Sequence, residues 1–431
     1  MEQLLEAELV GANGASGISI WTSPIAWLID RKLSRAYWIF LSVEFFFDFG
    51  FSLYFFLFSL YLIDLHFNER TIGLVGGALT LGSVAGTLPA GWLARKFGLH
   101  PLLIFSMIAA PLLGVARVLA TWEPAQIGLA FLAGLAMCLW AVCYLPTLAG
   151  LTTAENRASA FSINFSLSIG AGALGGLVCG YLPHLLGMAG YALQAADVKR
   201  LILLCACGIA AIGVFPLLRL RLPLQERETR DQDKTGKQPW KINPFLLRFL
   251  PSMALWTAVL ASFTPFANVY LTRDLHISLS QIGLIFSAAH AIQFCAGLLT
   301  PLLFNRLGLV NGIVASQVGT AAAIACLAGT HDRRLAVALY LSFSATQWMS
   351  SPGLYNLLMS KIPNEERSSA SAMTMFCNAL LQSGVTAGAG FLFALYGYPR
   401  VLAGIAALAL AAALLFGCFV RPAARGALAQ A

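Results

Sequence analysis

The chain has 431 residues, of which 58% are hydrophobic and only 11% are charged, and its formal net charge is +8. Soluble domains contain about 25% charged residues, so this composition excludes an ordinary soluble protein and predicts a polytopic membrane protein. The sequence contains no G-x-x-x-x-G-K-[ST] loop, which argues against a protein that is driven by ATP bound to this chain.

The first apolar segment contains two acidic residues. Residues 1–35 form a polar to amphipathic leader, and 36–63 is then long enough to cross the ~30 Å hydrocarbon core of a bilayer with some tilt. Glu44 and Asp48 lie inside this segment at i,i+4 spacing, which places both carboxylates on one helical face. An acid deep in lipid costs at least ~2.5 kcal/mol, so it usually faces a cavity or a partner and indicates function.

Similar apolar segments recur along the whole chain. The predicted spans are 36–63, 72–93, 101–121, 125–152, 158–183, 199–218, 244–271, 282–304, 309–330, 335–360, 368–396 and 401–420. A charge-dense, proline-containing stretch at 219–243 separates the sixth span from the seventh and predicts a linker. The expected fold is therefore an all-α membrane protein with twelve transmembrane helices in two six-helix bundles, 36–218 and 244–420, followed by a tail at 421–431.

The distribution of basic residues predicts the orientation in the membrane. With the N-terminus in the cytoplasm, 19 of the 27 lysines and arginines fall on the cytoplasmic side of the predicted spans, and 8 fall on the outer side. This asymmetry predicts that both termini and the linker are cytoplasmic. The multi-pass protein is expected in the plasma membrane, that is, the inner membrane if the chain is bacterial. The positive charge is thereby explained without a nucleic-acid partner.

Several short motifs recur at a constant offset of 210 residues. The Asp-Leu-His tripeptide at 64–66 recurs at 274–276, and the Gly-Leu pair at 98–99 recurs at 308–309. An ungapped offset across separate loops predicts a duplicated six-helix unit. Secondary transporters built from two such repeats bind their substrate near the membrane midplane, at the repeat interface.

The loops between predicted spans contain recognisable motifs. Residues 91–98 read GWLARKFG, 303–308 read LFNRLG, and an acid followed by an arginine opens the fifth and eleventh spans within 146–160 and 355–372. These segments resemble the cytoplasmic signatures of the major facilitator superfamily, the first of which is G-x-L-a-D-R-x-G-R-K. The resemblance covers about 36–420 and implies alternating access. It also implies a cytoplasmic gate formed by Gly91, Arg95, Lys96, Gly98, Glu155, Arg157, Arg306, Gly308, Glu365 and Arg367.

The chain departs from that family pattern in two places. Arg95 occupies the position at which the family has an aspartate that helps to hold the cytoplasmic side shut. Because a cation cannot perform that role at a helix N-terminus, the lock is expected to be weak or to be rebuilt from other acids. The glycine-rich stretch at 171–176 resembles an antiporter motif but lacks its proline, so antiport is not assigned from it.

In the resembled fold, the first helix of each three-helix unit borders the cavity. The substrate-cavity candidates on these spans and on the eighth span are Ser52, Phe55, Trp140, Tyr144, Trp256, Asn268, His290, Gln293, Gln347, Trp348, Tyr355 and Asn356. Packing or lipid contact is the alternative for the aromatic residues, interhelical hydrogen bonding for the amides, and a structural role for His290. Arg117 near the end of the third span is expected to snorkel to the interface.

The acid pair is the strongest functional candidate. Of the 19 acidic residues, only Glu44 and Asp48 lie well inside a span, and the sequence places no cation at their depth. Two carboxylates that share an apolar environment without a counter-ion are expected to hold a proton or a cation. We therefore expect them to form a proton-coupling or cation-binding site, the alternative being a structural role.

Together these features favour a proton-coupled secondary transporter that exports a small amphipathic molecule, which is expected to be a cation. A proton-coupled importer of a metabolite, peptide or metal chelate is the alternative, and a non-transporting sensor or scaffold is the alternative of another class. No enzyme, catalytic residue, metal site or cofactor is expected, because no span carries a metal-ligand cluster or a nucleophile–base pair. The expected partners are a small-molecule substrate and the lipid bilayer, the energy source is the proton gradient, and the protein is expected to be monomeric.

Overall fold

A computed structural model gives the arrangement of most of the chain. It describes residues 33–153, 156–188, 195–220, 244–330, 332–362 and 367–420. The predicted leader up to residue 32, nearly all of the linker and the tail lie outside the described residues, as do Glu155 and Glu365 of the expected gate. Within the described part, all regular secondary structure is helical.

The described residues form twelve long helices. They are α1 (Arg35–Asp64), α2 (Glu69–Phe97), α3 (Leu99–Leu119), α4 (Glu123–Gly150), α5 (Arg157–Met188), α6 (Ala195–Ile212), α7 (Pro244–Phe263), α8 (Leu279–Leu307), α9 (Leu309–Gly329), α10 (Arg333–Lys361), α11 (367–396) and α12 (398–415). Gly397, with φ 73° and ψ 172°, breaks the segment Arg367–Leu415 into α11 and α12 because this conformation cannot continue a helix. Short helical turns continue three of these helices, at Val214–Arg219, Thr264–Phe266, Ala267–Arg273 and Phe416–Val420.

Many of these helices can cross a membrane. In the described part of the chain, nine helical segments are long and apolar enough to do so, with α11 and α12 counted together as Met373–Cys418. A tenth is α2, which bends by 46° between Glu69–Thr87 and Pro89–Phe97. Helix α10 is long enough but less apolar, because serine, threonine and glutamine residues interrupt its apolar surface between 342 and 351. The chain is therefore an integral, multi-pass membrane protein.

The sequence repeat corresponds to a repeat in backbone geometry. Helices α2 and α3 have the same bounds as α8 and α9 once 210 is added to each residue number. In the described residues, His66 (φ 64°) and His276 (φ 50°) are the non-glycine residues with positive φ, and Gly98 (φ 84°) and Gly308 (φ 80°) form the next matching pair. Positive φ is uncommon outside glycine, so the two copies of each loop share an unusual conformation.

Contacts between helices follow the same duplication. Helix α2 packs on α4, as α8 packs on α10, and α3 packs on α4, as α9 packs on α10. Helix α1 packs on α6, and α7 packs on the α11–α12 segment. Two large contacts join α1–α6 to α7–α12: α2 lies against the α11–α12 segment, and α5 lies against α8.

Glycines allow these two contacts to be close. A Cβ atom added to Gly73 of α2 would lie 2.9 Å from the Cα atom of Gly390 in α11. A Cβ atom added to Gly180 of α5 would lie 3.1 Å from the Cα atom of Gly283 in α8. Small residues at such positions let helix backbones approach and gain van der Waals contact in a membrane.

Polar contacts reinforce the end of the molecule at which α1 connects to α2 and α7 connects to α8. Because the two sets of six helices meet there, we call it the closed end. The Arg273 guanidinium forms an ion pair of 2.7 Å with Glu69 and also donates to the carbonyl oxygen of Phe67. The side-chain amide of Asn268 donates to the carbonyl oxygen of Phe56 over 3.2 Å. All three bonds connect the first six helices with the chain that follows the linker.

Candidate functional site

A central cavity of ≈790 Å³ lies between the first and second sets of six helices. Its walls include six of the residues predicted from the sequence: Asp48, Ser52, Phe55, Trp140, Asn268 and His290. An adjoining cavity of ≈340 Å³ shares Asp48, Trp140 and Ser168 with it and extends past Tyr144 and Phe161. These last residues lie toward the end at which α4 ends and α5 begins, opposite the closed end.

The acid pair lies at the junction of the two cavities. Glu44 is only 2% exposed, and its Oε1 accepts a hydrogen bond of 2.8 Å from the Tyr144 hydroxyl. Its second oxygen, Oε2, is buried without a hydrogen-bond partner. Asp48 is half-buried and accepts a hydrogen bond of 2.6 Å from the Ser168 hydroxyl of α5. One carboxyl is thus enclosed, and the other faces the cavity.

Neither acid has a cationic partner among the described residues. Two ion pairs of this part of the chain, Lys199 with Asp64 and Arg273 with Glu69, involve residues near the closed end and neither acid of the pair. Burying a charge is costly unless it is paired and hydrogen-bonded, and each acid receives a single side-chain hydrogen bond. The pair can therefore take up a proton or the cationic group of a ligand.

Aromatic side chains form the wall beside the acids. The Trp140 ring stacks on Phe47 with 4.4 Å between centroids and on Tyr144 with 5.8 Å. Phe40 stacks on both Trp140 and Tyr144, with 6.1 Å between the ring centroids in each pair. This stack fixes the Tyr144 hydroxyl against Glu44, and it places aromatic faces next to carboxylates, an arrangement that suits an amphipathic cation.

On the opposite wall, His290 of α8 packs against α5. Its Nδ1 lies 3.0 Å from the carbonyl oxygen of Phe286, and its ring lies 4.6 Å from the Phe286 ring. A Cβ atom added to Gly172 would lie 2.6 Å from His290 Nε2. The glycine therefore makes room for the histidine at the contact between α5 and α8.

The other predicted cavity residues lie elsewhere in this structure. Those that do not line the central cavity are Tyr144, Trp256, Gln293, Gln347, Trp348, Tyr355 and Asn356. Tyr144 lines the adjoining cavity, Trp256 is buried in the helix core, and Asn356 lines a separate cavity of ≈380 Å³ with Thr300 and Pro352. Substrate contact by these residues stays a prediction.

Several polar residues of the cavity walls were not assigned to the cavity from the sequence, and two of them, Ser168 and Arg117, bear on the site. Ser168 bonds to Asp48, and Arg117 lines the cavity with only 3% of its surface exposed. The expectation that Arg117 snorkels to the interface is wrong, because α3 packs with this side chain facing α1. Hydroxyl groups of α1 fix that packing: Tyr54 donates to the carbonyl of Gly114, and Tyr61 donates to that of Val118.

The expected gate is only partly described. Arg95 and Arg306 are exposed, and the Lys96 ammonium lies 4.8 Å from the Trp92 ring centroid and 5.2 Å from that of Phe97. Arg157 donates to the carbonyl oxygen of Ala149 over 3.5 Å. Gly91 and the turn glycines Gly98 and Gly308 have open space around them. The Arg367 side chain, like Glu155 and Glu365, lies outside the described part, so the gate stays a prediction.

Solved transporter structures share this fold. A variant of the nucleoside transporter NupG superposes with a TM-score of 0.74 at 15% identity, covering 89% of this chain and 100% of the other. A D-xylose-proton symporter gives a TM-score of 0.71 at 15% identity, with coverage of 89% and 97%. A bacterial metal transporter gives 0.67 at 15% identity, with coverage of 89% and 98%. At these identities the likeness shows the fold alone.

The sequence itself identifies the family. No curated protein matches the chain at a significant level. The model of the Major Facilitator Superfamily matches residues 40–386, which is most of the chain, and it confirms the resemblance seen in the loop motifs. Members of this family are membrane transporters and not enzymes. The chain therefore belongs to the major facilitator superfamily.

Proposed function

We propose that this chain is a proton-coupled secondary transporter that moves a small amphipathic molecule by alternating access. The observation that carries the proposal is the acid pair at the cavity junction, with Glu44 enclosed by Tyr144 and Asp48 open to the cavity, and with no cation paired to either within the described residues. An intramembrane acid in such a setting usually marks a substrate or proton pathway.

The topology proposed for this function has twelve membrane crossings in two six-helix bundles, 36–218 and 244–420. The repeated helix bounds support two bundles, and the excess of basic residues supports cytoplasmic termini and a cytoplasmic linker at 219–243. In this topology the closed end faces the outside, and the adjoining cavity opens toward the cytoplasm. The proposed location is the plasma membrane, that is, the inner membrane if the chain is bacterial, and the proposed state is a monomer.

The coupling step follows from the two hydrogen bonds at the acids. A proton or the basic group of a substrate competes for Asp48, displacing Ser168, whereas Glu44 stays bound to Tyr144 and passes protons toward the cytoplasmic cavity. Occupation of Asp48 changes the charge between α1 and α5. Transport then requires the closed end to open, which breaks the ion pair between Glu69 and Arg273.

Export is the leading direction, because carboxylates among aromatic rings suit the amphipathic cations that cells extrude. Import is the second candidate, and the similarity of the fold to that of a D-xylose-proton symporter favours it. A metabolite, a peptide or a metal chelate would then be the cargo. The direction of the coupled proton movement separates the two. In export by exchange, protons leave the compartment that gains the substrate, and its pH rises. In import by symport, protons enter that compartment together with the substrate, and its pH falls.

A reconstituted system tests the function. Purified protein in liposomes that contain a pH-sensitive dye receives a panel of amphipathic amines, sugars, nucleosides and metal chelates, one compound at a time. A transporter gives compound-dependent proton flux that protein-free liposomes lack. A sensor or scaffold on the same fold binds compounds without moving protons, and that result would overturn the proposal.

A further inference from the structure

Arg117 is a buried cation in the cavity wall that the acid pair does not use. It is 3% exposed, and its guanidinium carbon lies 4.1 Å from the Phe58 ring centroid and 5.8 Å from that of Tyr54. Its Nε atom is buried without a hydrogen-bond partner. Outside the helical backbone bonds of α3, the carbonyl oxygen of Arg117 accepts a hydrogen bond of 2.6 Å from the Gln126 side chain, and this bond leaves the guanidinium free.

No carboxylate in the described part of the chain forms an ion pair with this guanidinium. A guanidinium presents five N–H donors in a planar fork that matches carboxylate and phosphate oxygens. Cation–π contacts with two rings offset only a small part of the cost of burying the charge. The side chain therefore has donor capacity that the protein does not fill, and it lines the same cavity as Asp48.

Opposite charges thus lie at different depths of one cavity. Along α1, Tyr54 is six residues and Phe58 ten residues beyond Asp48, which corresponds to about 9 to 15 Å at 1.5 Å per residue. Between them the wall is largely aromatic and includes Phe51 and Phe55. The cavity is therefore negative toward its open side, apolar in the middle and positive toward the closed end.

We propose that Arg117 binds an oxyanion of the substrate, so that the cavity takes an elongated amphipathic zwitterion with its basic end at Asp48 and its carboxylate or phosphate at Arg117. The inference rests on the proposed function, since it takes the central cavity as the substrate path. It narrows the substrate class, because a simple amphipathic cation would leave the guanidinium unpaired and would be repelled by it.

Binding measurements on the full-length protein in detergent test this assignment. The probes are aminooctanoate, its methyl ester, aminooctyl phosphate and aminooctanol, which share a chain and an amine and differ at the other end. Isothermal titration should show each anion binding at least about tenfold more tightly than its neutral counterpart, as expected for a charge-assisted contact. The stronger of the two preferences identifies carboxylate or phosphate as the natural group.

Variants show whether Arg117 is responsible. Arg117→Gln should bring the ratio of anion to neutral affinity close to one while the ester and the alcohol bind as before, and Arg117→Lys should keep part of the preference. Arg200→Gln, an exposed position on α6, serves as the matched control and should leave the ratio unchanged. If Arg117→Gln does not fold, the ratio in the unmodified protein and in Arg117→Lys still decides.

Three results would overturn the proposal: no preference for the anions in the unmodified protein, no binding of any probe, or a full preference retained in Arg117→Gln. The assay needs no transport, so its outcome is separable from that of the proposed function. Proton flux without an anion preference would remove the oxyanion site alone. An anion preference without any compound-dependent flux would keep the site and remove the coupling mechanism.

Discussion

At the scale of single residues, the site depends on how few hydrogen bonds satisfy its charged groups. Glu44 has one partner for two oxygens, Asp48 has a single hydroxyl, and Arg117 has aromatic faces but no carboxylate. Such under-satisfied groups are costly in a folded protein, and they are expected where a ligand or proton completes the bonding. The three residues are therefore where the structure is most open to a ligand.

The roles of some of these side chains could be predicted from the sequence, and those of others could not. Glu44 and Asp48 could be found because two acids in an apolar run are rare and their spacing fixes a common face. Ser168 and Arg117 could not, because serine is ordinary in membrane helices and an arginine four residues from a predicted span end usually reaches the interface. Their inward direction depends on how α5 and α3 are rotated against α1, which tertiary contacts decide.

A prediction at this scale concerns Gly172. In Gly172→Ala, the new methyl group would meet His290 Nε2, so the histidine or α5 must move, and overpacking of this kind costs about 1–3 kcal/mol. Gly170→Ala is the matched control, because nothing lies within 4 Å of its Cβ position. Thermal unfolding in detergent should show a lower midpoint for the first variant only. Equal midpoints would contradict the close contact between α5 and α8.

At the scale of helices, the hydrophobic runs predicted where each long helix lies, because 20 or so apolar residues must form a helix in a bilayer. Internal breaks were less accessible to prediction. Two breaks lie within predicted spans: the short turn at 264–266 that follows α7, and the 46° bend of α2. Neither is marked in the sequence by a run of charged residues, as a loop between two spans is. Both lie where a proline is present, but other prolines in the chain sit within unbroken helices.

The closed end yields a prediction for these elements. Glu69→Gln removes the ion pair with Arg273 that links α2 to the continuation of α7. The equilibrium between the two conformations should therefore shift by about 1–2 kcal/mol toward the one in which this end of the molecule is open. Asp64→Asn is the matched control, because its partner Lys199 lies within the same set of six helices. Distances between spin labels across the closed end report the shift. Identical distance distributions in both variants would refute this role of the ion pair.

At the scale of the whole molecule, the repeat of 210 residues could be predicted from short loop motifs, and His66 and Gly98 have the same unusual backbone conformation as His276 and Gly308. The sequence could not indicate which end of the molecule is closed. Which end is closed depends on contacts between helices that are distant in sequence, such as the contact of Gly73 with Gly390. Two conformations of one protein can differ by only a few kcal/mol, and such a difference cannot be derived from sequence patterns.

The proposed orientation makes a prediction for the whole chain. In a variant without the nine native cysteines, a membrane-impermeant thiol reagent applied from outside should label Asn68→Cys and spare Thr235→Cys. The reason is that position 68 lies in the loop before α2, and position 235 lies in the linker proposed to be cytoplasmic. Labelling after permeabilisation controls for reactivity. Labelling of both positions from outside would contradict the twelve-crossing topology.

Asp48 is the residue proposed to couple the movement of substrate to the movement of protons. The direct measurement is compound-dependent proton flux in liposomes for Asp48→Asn, beside Asp197→Asn, which changes an exposed acid of α6 in the same way. Because the amide keeps the shape of the side chain but cannot titrate, we expect a folded Asp48→Asn protein with no coupled flux and an Asp197→Asn protein with normal flux. Flux at the unmodified rate and with an unchanged pH profile in Asp48→Asn would show that the acid pair is structural and would contradict the mechanism.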